Sequence, residues 1–224
     1  MIRLRERLAE LYEVTGGSSC CGYMYDPVAM LLYSLVKFYR PEVVIQTGHL
    51  WGKSALVALE AMTDGFELQS ERQNSDPKFT AFVEAHTPEI PARPLLISID
   101  PAPAGVPRWR VGVDVLRSWY PENFKFFNTT SQEFFERNWN FADESAWKKG
   151  LFGIVDGDHS IEGCAYDIKR LKKLNASIIF VDDVEWIPHI CQVARDESLK
   201  NFPDYYSFYH FHGFNGVGLL VRNA

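Results

Sequence analysis

No apolar stretch in this 224-residue chain approaches the roughly 18 unbroken residues that a membrane-spanning helix needs, and the opening MIRLRERLAE is a charged amphipathic pattern rather than a signal peptide. Cysteine is scarce. Cys20, Cys21, Cys164 and Cys191 form neither a CxxC pair nor the dense even spacing of a secreted disulfide scaffold, so reduced, packed thiols are expected. An excess of positive charge is also missing: 23 basic against 29 acidic residues give a net charge of −6, which leaves no electrostatic footprint for a phosphate backbone and argues against nucleic acid as a partner. Low-complexity tracts and internal repeats are absent as well. With 46% hydrophobic and 23% charged residues the chain is neither disordered nor collagen-like. Together these absences predict a soluble cytoplasmic protein with one sizeable core, and they leave a homo-oligomer open.

What is present is an alternation of short apolar runs with helical patterns. Leu4, Leu8 and Leu11 recur at helical spacing among Arg and Glu, and a more buried helix is expected over Pro27 to Tyr39. These form an N-terminal helical cap over 1–40, ahead of a main domain over 41–224. The β-branched run Val43-Val44-Ile45 leads through a glycine-bearing turn into a helix-forming stretch over Ser54 to Met62. Similar strands are expected at Leu95 to Ile99, Phe124 to Asn128, Gly150 to Val155 and Ala176 to Val181. Near-continuous apolar strands alternating with helices predict an α/β fold, a doubly wound, mostly parallel sheet covered on both faces. Between Asp156 and Asp182 a helix is expected to bury Ile161, Cys164, Ala165, Ile168 and Leu171, with Asp167, Lys169, Arg170 and Lys172 opposite. Runs at Tyr205 to His212 and Val217 to Arg222, joined by Gly213 to Gly216, predict a closing antiparallel hairpin. The polar stretch from Thr63 to Pro94 is long for a connection and reads as a lid, an oligomer contact or disorder, with a short helix at Phe79 to His86.

Ligands of open α/β sheets bind beyond the carboxyl ends of the strands. Those ends read Gln46-Thr47-Gly48-His49-Leu50-Trp51-Gly52-Lys53-Ser54, Asp100-Pro101, Asn128-Thr129-Thr130-Ser131, Asp156-Gly157-Asp158-His159-Ser160 and Asp182-Asp183. The first is no phosphate loop, because Gly52-Lys53-Ser54 would need glycine at position 47, which is Thr47, and it lacks the full GxGxxG fingerprint. A glycine turn followed by Asp100 at the next strand end nevertheless points to an adenosine-bearing ligand, the acid taking a ribose diol. Asp156, Asp158, Asp182 and Asp183 concentrate negative charge, which calls for a hard cation such as Mg²⁺, for shared protons, or for helix-capping roles. Asp158 or His159 suits a general base. Trp51 and Trp186 are candidates for pocket walls or for core, and Cys20 to Tyr25 for a lid contact.

The turn Gln46 to Ser54, Ile99-Asp100, Val155-Asp156-Gly157-Asp158-His159-Ser160 and Val181-Asp182-Asp183, in that order, resemble a class I S-adenosylmethionine-dependent methyltransferase. Within that class the chain is similar to the metal-dependent macrocin O-methyltransferase type and to cephalosporin hydroxylase-like proteins, over about residues 40 to 222. The resemblance implies a seven-stranded sheet with its last strand antiparallel. It implies S-adenosylmethionine held by Gln46, Gly48, His49, Gly52, Ser54, Asp100, Ser131 and Asp156, with Ser54 capping its helix and Ser131 or its neighbours flanking the adenine. It also implies Mg²⁺ or another divalent cation on Asp156, Asp182 and Asp183, and a base at Asp158 or His159. Such families carry Glu or Asp where this chain has Gln46.

The reaction expected is O-methylation of a small hydroxylated acceptor, with a divalent ion lowering the pKa of the attacking oxygen. Two alternatives differ in class. One is a cofactor-binding protein without transferase activity, which Gln46 motivates. The other is a different metal-dependent enzyme, a hydrolase or an oxygenase, built on Asp156, Asp182 and Asp183.

Overall fold

The computed structural model describes residues 2–15, 26–72, 94–101, 107–137, 150–200, 206–213 and 215–223. Expectations for Cys20 to Tyr25 and for a helix at Phe79 to His86 lie outside them. Two helices open the chain, α1 (Ile2–Thr15) and α2 (Asp26–Tyr39), followed by β1 (Val43–Thr47) and α3 (Lys53–Arg72). Then come β2 (Leu95–Ile99), α4 (Pro107–Trp119), β3 (Phe124–Phe127), α5 (Ser131–Arg137), β4 (Leu151–Val155) and α6 (Ile161–Lys173). The chain closes with β5 (Ile178–Val181), α7 (Pro188–Leu199), β6 (Tyr206–Phe211) and β7 (Val217–Arg222).

The strands form one seven-stranded sheet in the order β3-β2-β1-β4-β5-β7-β6. Pairs from β3 to β5 are parallel, whereas β7 runs antiparallel to both β5 and β6. The expected fold and closing hairpin are both present. Alternation along the strands divides the core into two layers. Val44, Leu96, Phe152, Ile154 and Phe180 face α1, α2, α3 and α4, while Ile45, Ile97, Leu151, Val155 and Ile179 face α5, α6 and α7. Burial on both faces is the reason the strands are apolar at nearly every position. Leu4 and Leu11 of α1 and Leu32 and Val36 of α2 share the first of these layers.

Three helices, α4, α5 and α7, carried no clear sequence signal. Each is short or begins where the apolar spacing is broken, and α7 starts on Pro188 without a side-chain cap. One helical face also differs from the reading. In α6 Ile161 is 53% exposed, whereas Asp167 is fully buried. Ile161 opens α6 in an exposed turn, between exposed Ser160 and Glu162; Asp167 turns inward towards Thr47 and Ser131.

Candidate functional site

Parallel register brings the chemistry-bearing turns into one row. Thr47 pairs with Ile99 on one side and with Val155 on the other, and Val155 pairs with Val181. Each ladder continues one step past the strands: Gly48 N–H donates to Ile99 O at 2.9 Å, Asp156 N–H to Thr47 O at 3.0 Å, and Asp182 N–H to Val155 O at 3.1 Å. Asp100, Gly48, Asp156 and Asp182 thus stand side by side at the carboxyl edge of β2, β1, β4 and β5. Above them opens a cleft of about 720 Å³, lined by residues of all these turns together with Thr130, Ser131, Gln132, Tyr166, Asp167 and Trp186. That volume suits a cofactor-sized molecule.

The floor of the cleft is backbone. Gly48 sits at φ +83°, and a Cβ there would fall 1.9 Å from the Asp156 carbonyl oxygen, so only glycine lets the β1 turn pass this close to the β4 turn. The turn is clamped from the neighbouring strand: Asp100 Oδ2 accepts the N–H groups of His49 at 2.6 Å and of Leu50 at 3.0 Å. Its other oxygen takes no part in this clamp. Gln46 lies buried beneath the turn, with its amide donating to Gly48 O and, at 2.7 Å, to Ser54 Oγ.

The cofactor residues expected from the sequence therefore separate by position. Gly48, Asp100, Ser131 and Asp156 line the cleft. Gln46, His49, Gly52 and Ser54 support it from below. His49 is buried with Nδ1 2.9 Å from Ser98 Oγ, its ring stacks on Phe124, and burial pushes its pKa down to about 3. Gly52 faces Leu116 and His49, and Ser54 accepts from Gln46 one residue inside α3, so neither holds the capping or cleft-facing place expected of it. Inward-pointing side chains of a strand-to-helix turn cannot be told from outward ones by spacing alone.

At the other end of the cleft, Asp156, His159 and Asp183 converge. His159 Nε2 lies 3.4 Å from Asp183 Oδ2 and 4.0 Å from Asp156 Oδ1, and the three ligating atoms lie within 4.8 Å of one another. Asp182, expected in this cluster, stands aside from it: it is buried, its Oδ1 accepts the N–H of Asp183, and it does not line the cleft. The cause is local. Asp183 adopts φ +60°, a left-handed conformation unusual for a residue with a side chain, which turns its carboxylate into the cleft while Asp182 continues the line of β5. Asn215 holds Asp183 there by donating to Oδ1 at 2.6 Å.

The carboxylates repel one another. Burial first, then Asp182, Asp183 and Asp100, raise the pKa of Asp156 well above the carboxylate range. Burial and Asp183 push Asp182 up to about 7, and burial raises Asp183 against the pull of Asn215 and His159. Such a group releases its strain when a cation enters. The two carboxylates fit a divalent ion, and His159 Nε2 beside them is buried without a hydrogen bond, which leaves that nitrogen open to a proton. Asp158 is exposed at the cleft rim, where its Oδ1 accepts the Ser160 N–H at 2.9 Å; Ser160, not Asp158, caps α6.

The helical pattern predicts a solvent-facing Asp167, opposite the buried stripe of α6. Its carboxyl is fully buried against the cleft, the hydroxyls of Ser131 and Thr47 face it without completing a hydrogen bond to either oxygen, and burial pushes its pKa up to about 6. An acidic residue on a helix that begins at a strand end was the available signal. Trp186, 64% exposed, walls the cleft; Trp51 does not line it.

The doubly wound seven-stranded sheet with a reversed last strand is the architecture of solved methyltransferases. An S-adenosylhomocysteine-bound methyltransferase of Podospora anserina superposes with a TM-score of 0.63 at 13% identity, covering 97% of this chain and 88% of that one. An O-methyltransferase of Bacillus cereus, in complex with S-adenosylhomocysteine, gives 0.63 at 13% identity over 96% of this chain and 90% of its own. The O-methyltransferase TomG of Streptomyces achromogenes, involved in tomaymycin synthesis and solved with S-adenosylmethionine, gives 0.63 at 10% identity over 99% and 90%. No protein-family model matches the chain, and no curated protein matches it by sequence.

Proposed function

We propose that this protein is an S-adenosylmethionine-dependent O-methyltransferase acting on a small hydroxylated acceptor. The observation that carries the reading is the single cleft in which an adenosine-type cradle, Gly48 with Asp100, adjoins a base-and-carboxylate cluster, His159 with Asp156 and Asp183. Asp100 keeps one carboxylate oxygen for a ribose diol. Ser131 and Asp167 border the same side of the cleft and suit the adenine end. The close backbone of the Gly48 turn, which carries no Cβ, accommodates the methionine end.

Asp156 and Asp183 would hold a divalent cation, with Asp182 behind them adding negative charge. A bound cation supplies Lewis acidity that lowers the pKa of an acceptor hydroxyl. His159, held between the two carboxylates, accepts the hydroxyl proton at Nε2, and Asp158 at the rim is the rival for that role. Trp186 covers the acceptor side and limits water there. Catalysis then rests mainly on positioning and on preorganised charge.

Calorimetric titration with S-adenosylmethionine and S-adenosylhomocysteine, each with and without Mg²⁺, tests the cofactor half of the reading. Saturable binding, followed by methylated product from catechols or sugar diols, is the expected result. A folded chain that binds neither compound overturns it, and binding without any product from such acceptors reduces it to a cofactor-binding protein.

A further inference from the structure

Outside the lining of the cleft, the turn after β5 and the end of β6 bring together a second set of ligating side chains: Glu185, His210 and His212. Side chains two apart on a strand share a face, and the two imidazole rings lie with their centroids 4.0 Å apart. Glu185 faces both. Its Oε1 is 2.5 Å from His212 Nδ1 and 3.5 Å from His210 Nε2, while its Oε2 is fixed by the Gly213 N–H at 2.9 Å. All three ligating atoms lie within 4.8 Å of one another.

A simple carboxylate–imidazole pair accounts for His212 but not for His210. The side chain of His210 is only 18% exposed, and its Nε2 is buried without a hydrogen bond. The other ring nitrogen, Nδ1, meets Cys191 Sγ at 3.9 Å. The Cys191 thiol can donate to Nδ1 or accept from it; in the tautomer in which it accepts, Nε2 presents its lone pair to the Glu185 carboxylate and two acceptors face each other. A cation between them removes the conflict. Metal-bound histidines characteristically hand their second nitrogen to a partner in this way.

We propose that Glu185, His210 and His212 form a second divalent-metal site, separate from the aspartates of the cleft and selective for an imidazole-preferring ion of the Zn²⁺ type. Two imidazoles and one carboxylate are the donors such an ion takes, whereas Mg²⁺ takes oxygen. Nitrogen and oxygen ligands about 2.1 Å from a tetrahedral ion stand about 3.4 Å apart. The Glu185–His210 pair already has nearly that separation, at 3.5 Å. His212, exposed on the strand end, is free to swing out by the small amount needed. The fourth position is left to water.

The ion would clasp the β5–α7 turn to the β6–β7 hairpin. Asn215 of that hairpin accepts the N–H groups of Glu185 at 2.6 Å and of Trp186 at 3.2 Å, and it also holds Asp183. The clasp therefore steadies one rim of the cleft. It rests on none of the methyl-transfer argument.

The test is titration of the metal-free chain with Zn²⁺ alone, repeated with Co²⁺ as a spectroscopic probe of nitrogen ligation. The Asp156→Asn variant serves as background, so that the cleft cluster is weakened first. One equivalent of Zn²⁺ should remain in that background and should raise the melting temperature. Adding His210→Ala should weaken it by at least about 100-fold, beyond the usual cost of disturbing a supporting group, and should abolish the thermal shift. Glu185→Gln should act in the same direction. If His210→Ala does not melt cooperatively, His212→Ala, at an exposed position, carries the same expectation of weakened binding and a reduced shift. Zn²⁺ affinity unchanged within about threefold in the histidine variants overturns the proposal. So does loss of all Zn²⁺ binding on Asp156→Asn alone, or a folded chain that binds none.

Discussion

At Asp100 one carboxylate oxygen is already committed to the fold, accepting two backbone N–H groups of the β1 turn, and in the proposed function the other takes the cofactor's ribose. Removing the side chain should cost both roles. Asp100→Ala is expected to weaken S-adenosylhomocysteine binding by at least about tenfold, the worth of one charge-assisted hydrogen bond, as calorimetry would show. His159→Ala separates chemistry from binding: turnover should fall by about 10²- to 10⁴-fold while cofactor affinity changes little. A loss of affinity matching the loss of rate would give the base role to another residue. Asp167 offers a pH signature. Its pKa is about 6 in the folded chain against 3.8 in the unfolded one, so the folded state binds the extra proton between these values. Stability therefore falls as pH rises from about 4 to about 6, by about 3 kcal/mol, and the contribution is flat above that. Asp167→Asn should remove this slope in denaturant titrations run from pH 4 to pH 8; a slope unchanged in the variant assigns it to other groups.

The elements are held to one another by a few buried polar anchors. Glu60 of α3 is nearly buried and draws in Arg3 at 3.5 Å and Arg7 at 3.2 Å from α1, while accepting the hydroxyl of Tyr120 just beyond α4. Burial and that carboxylate raise the Tyr120 pKa above its ordinary value. Arg7 also lies 4.5 Å over the Trp119 ring. Breaking such a cluster removes the buried acceptor shared by the part-exposed Arg3 and Arg7 and by the Tyr120 hydroxyl, so Glu60→Ala should destabilise the chain by about 1–3 kcal/mol in urea unfolding. An effect below about 1 kcal/mol would reduce the cluster to surface pairing. The strands were legible because both faces are covered and each carries a β-branched or aromatic run. Helix α6 was legible as an element but not in its facing, since Asp167 looks polar in sequence and only the neighbouring β1 and α5 ends bury it.

For the molecule as a whole, sheet order decides which turns meet. Strand β1 lies between β2 and β4, so Gly48 stands between Asp100 and Asp156 although about fifty residues separate it from the first and about a hundred from the second. A ligand spanning that row should stabilise the folded chain by mass action. S-adenosylhomocysteine at 100 times its dissociation constant should add about 2.7 kcal/mol, read as a rise in melting temperature, and no rise at high concentration would mean that the folded chain does not bind it. By itself the sequence determined the α/β class, the strand ends that carry acids and glycines, and the closing hairpin, because apolar periodicity and turn residues are local properties. Only the tertiary structure decided that His159 joins Asp156 and Asp183 while Asp182 stands aside, that Asp167 is buried, and that His49 belongs to the core. Those outcomes depend on the direction of each side chain and on what packs against it, and a left-handed turn such as that at Asp183 reverses such a direction without leaving a mark in the sequence.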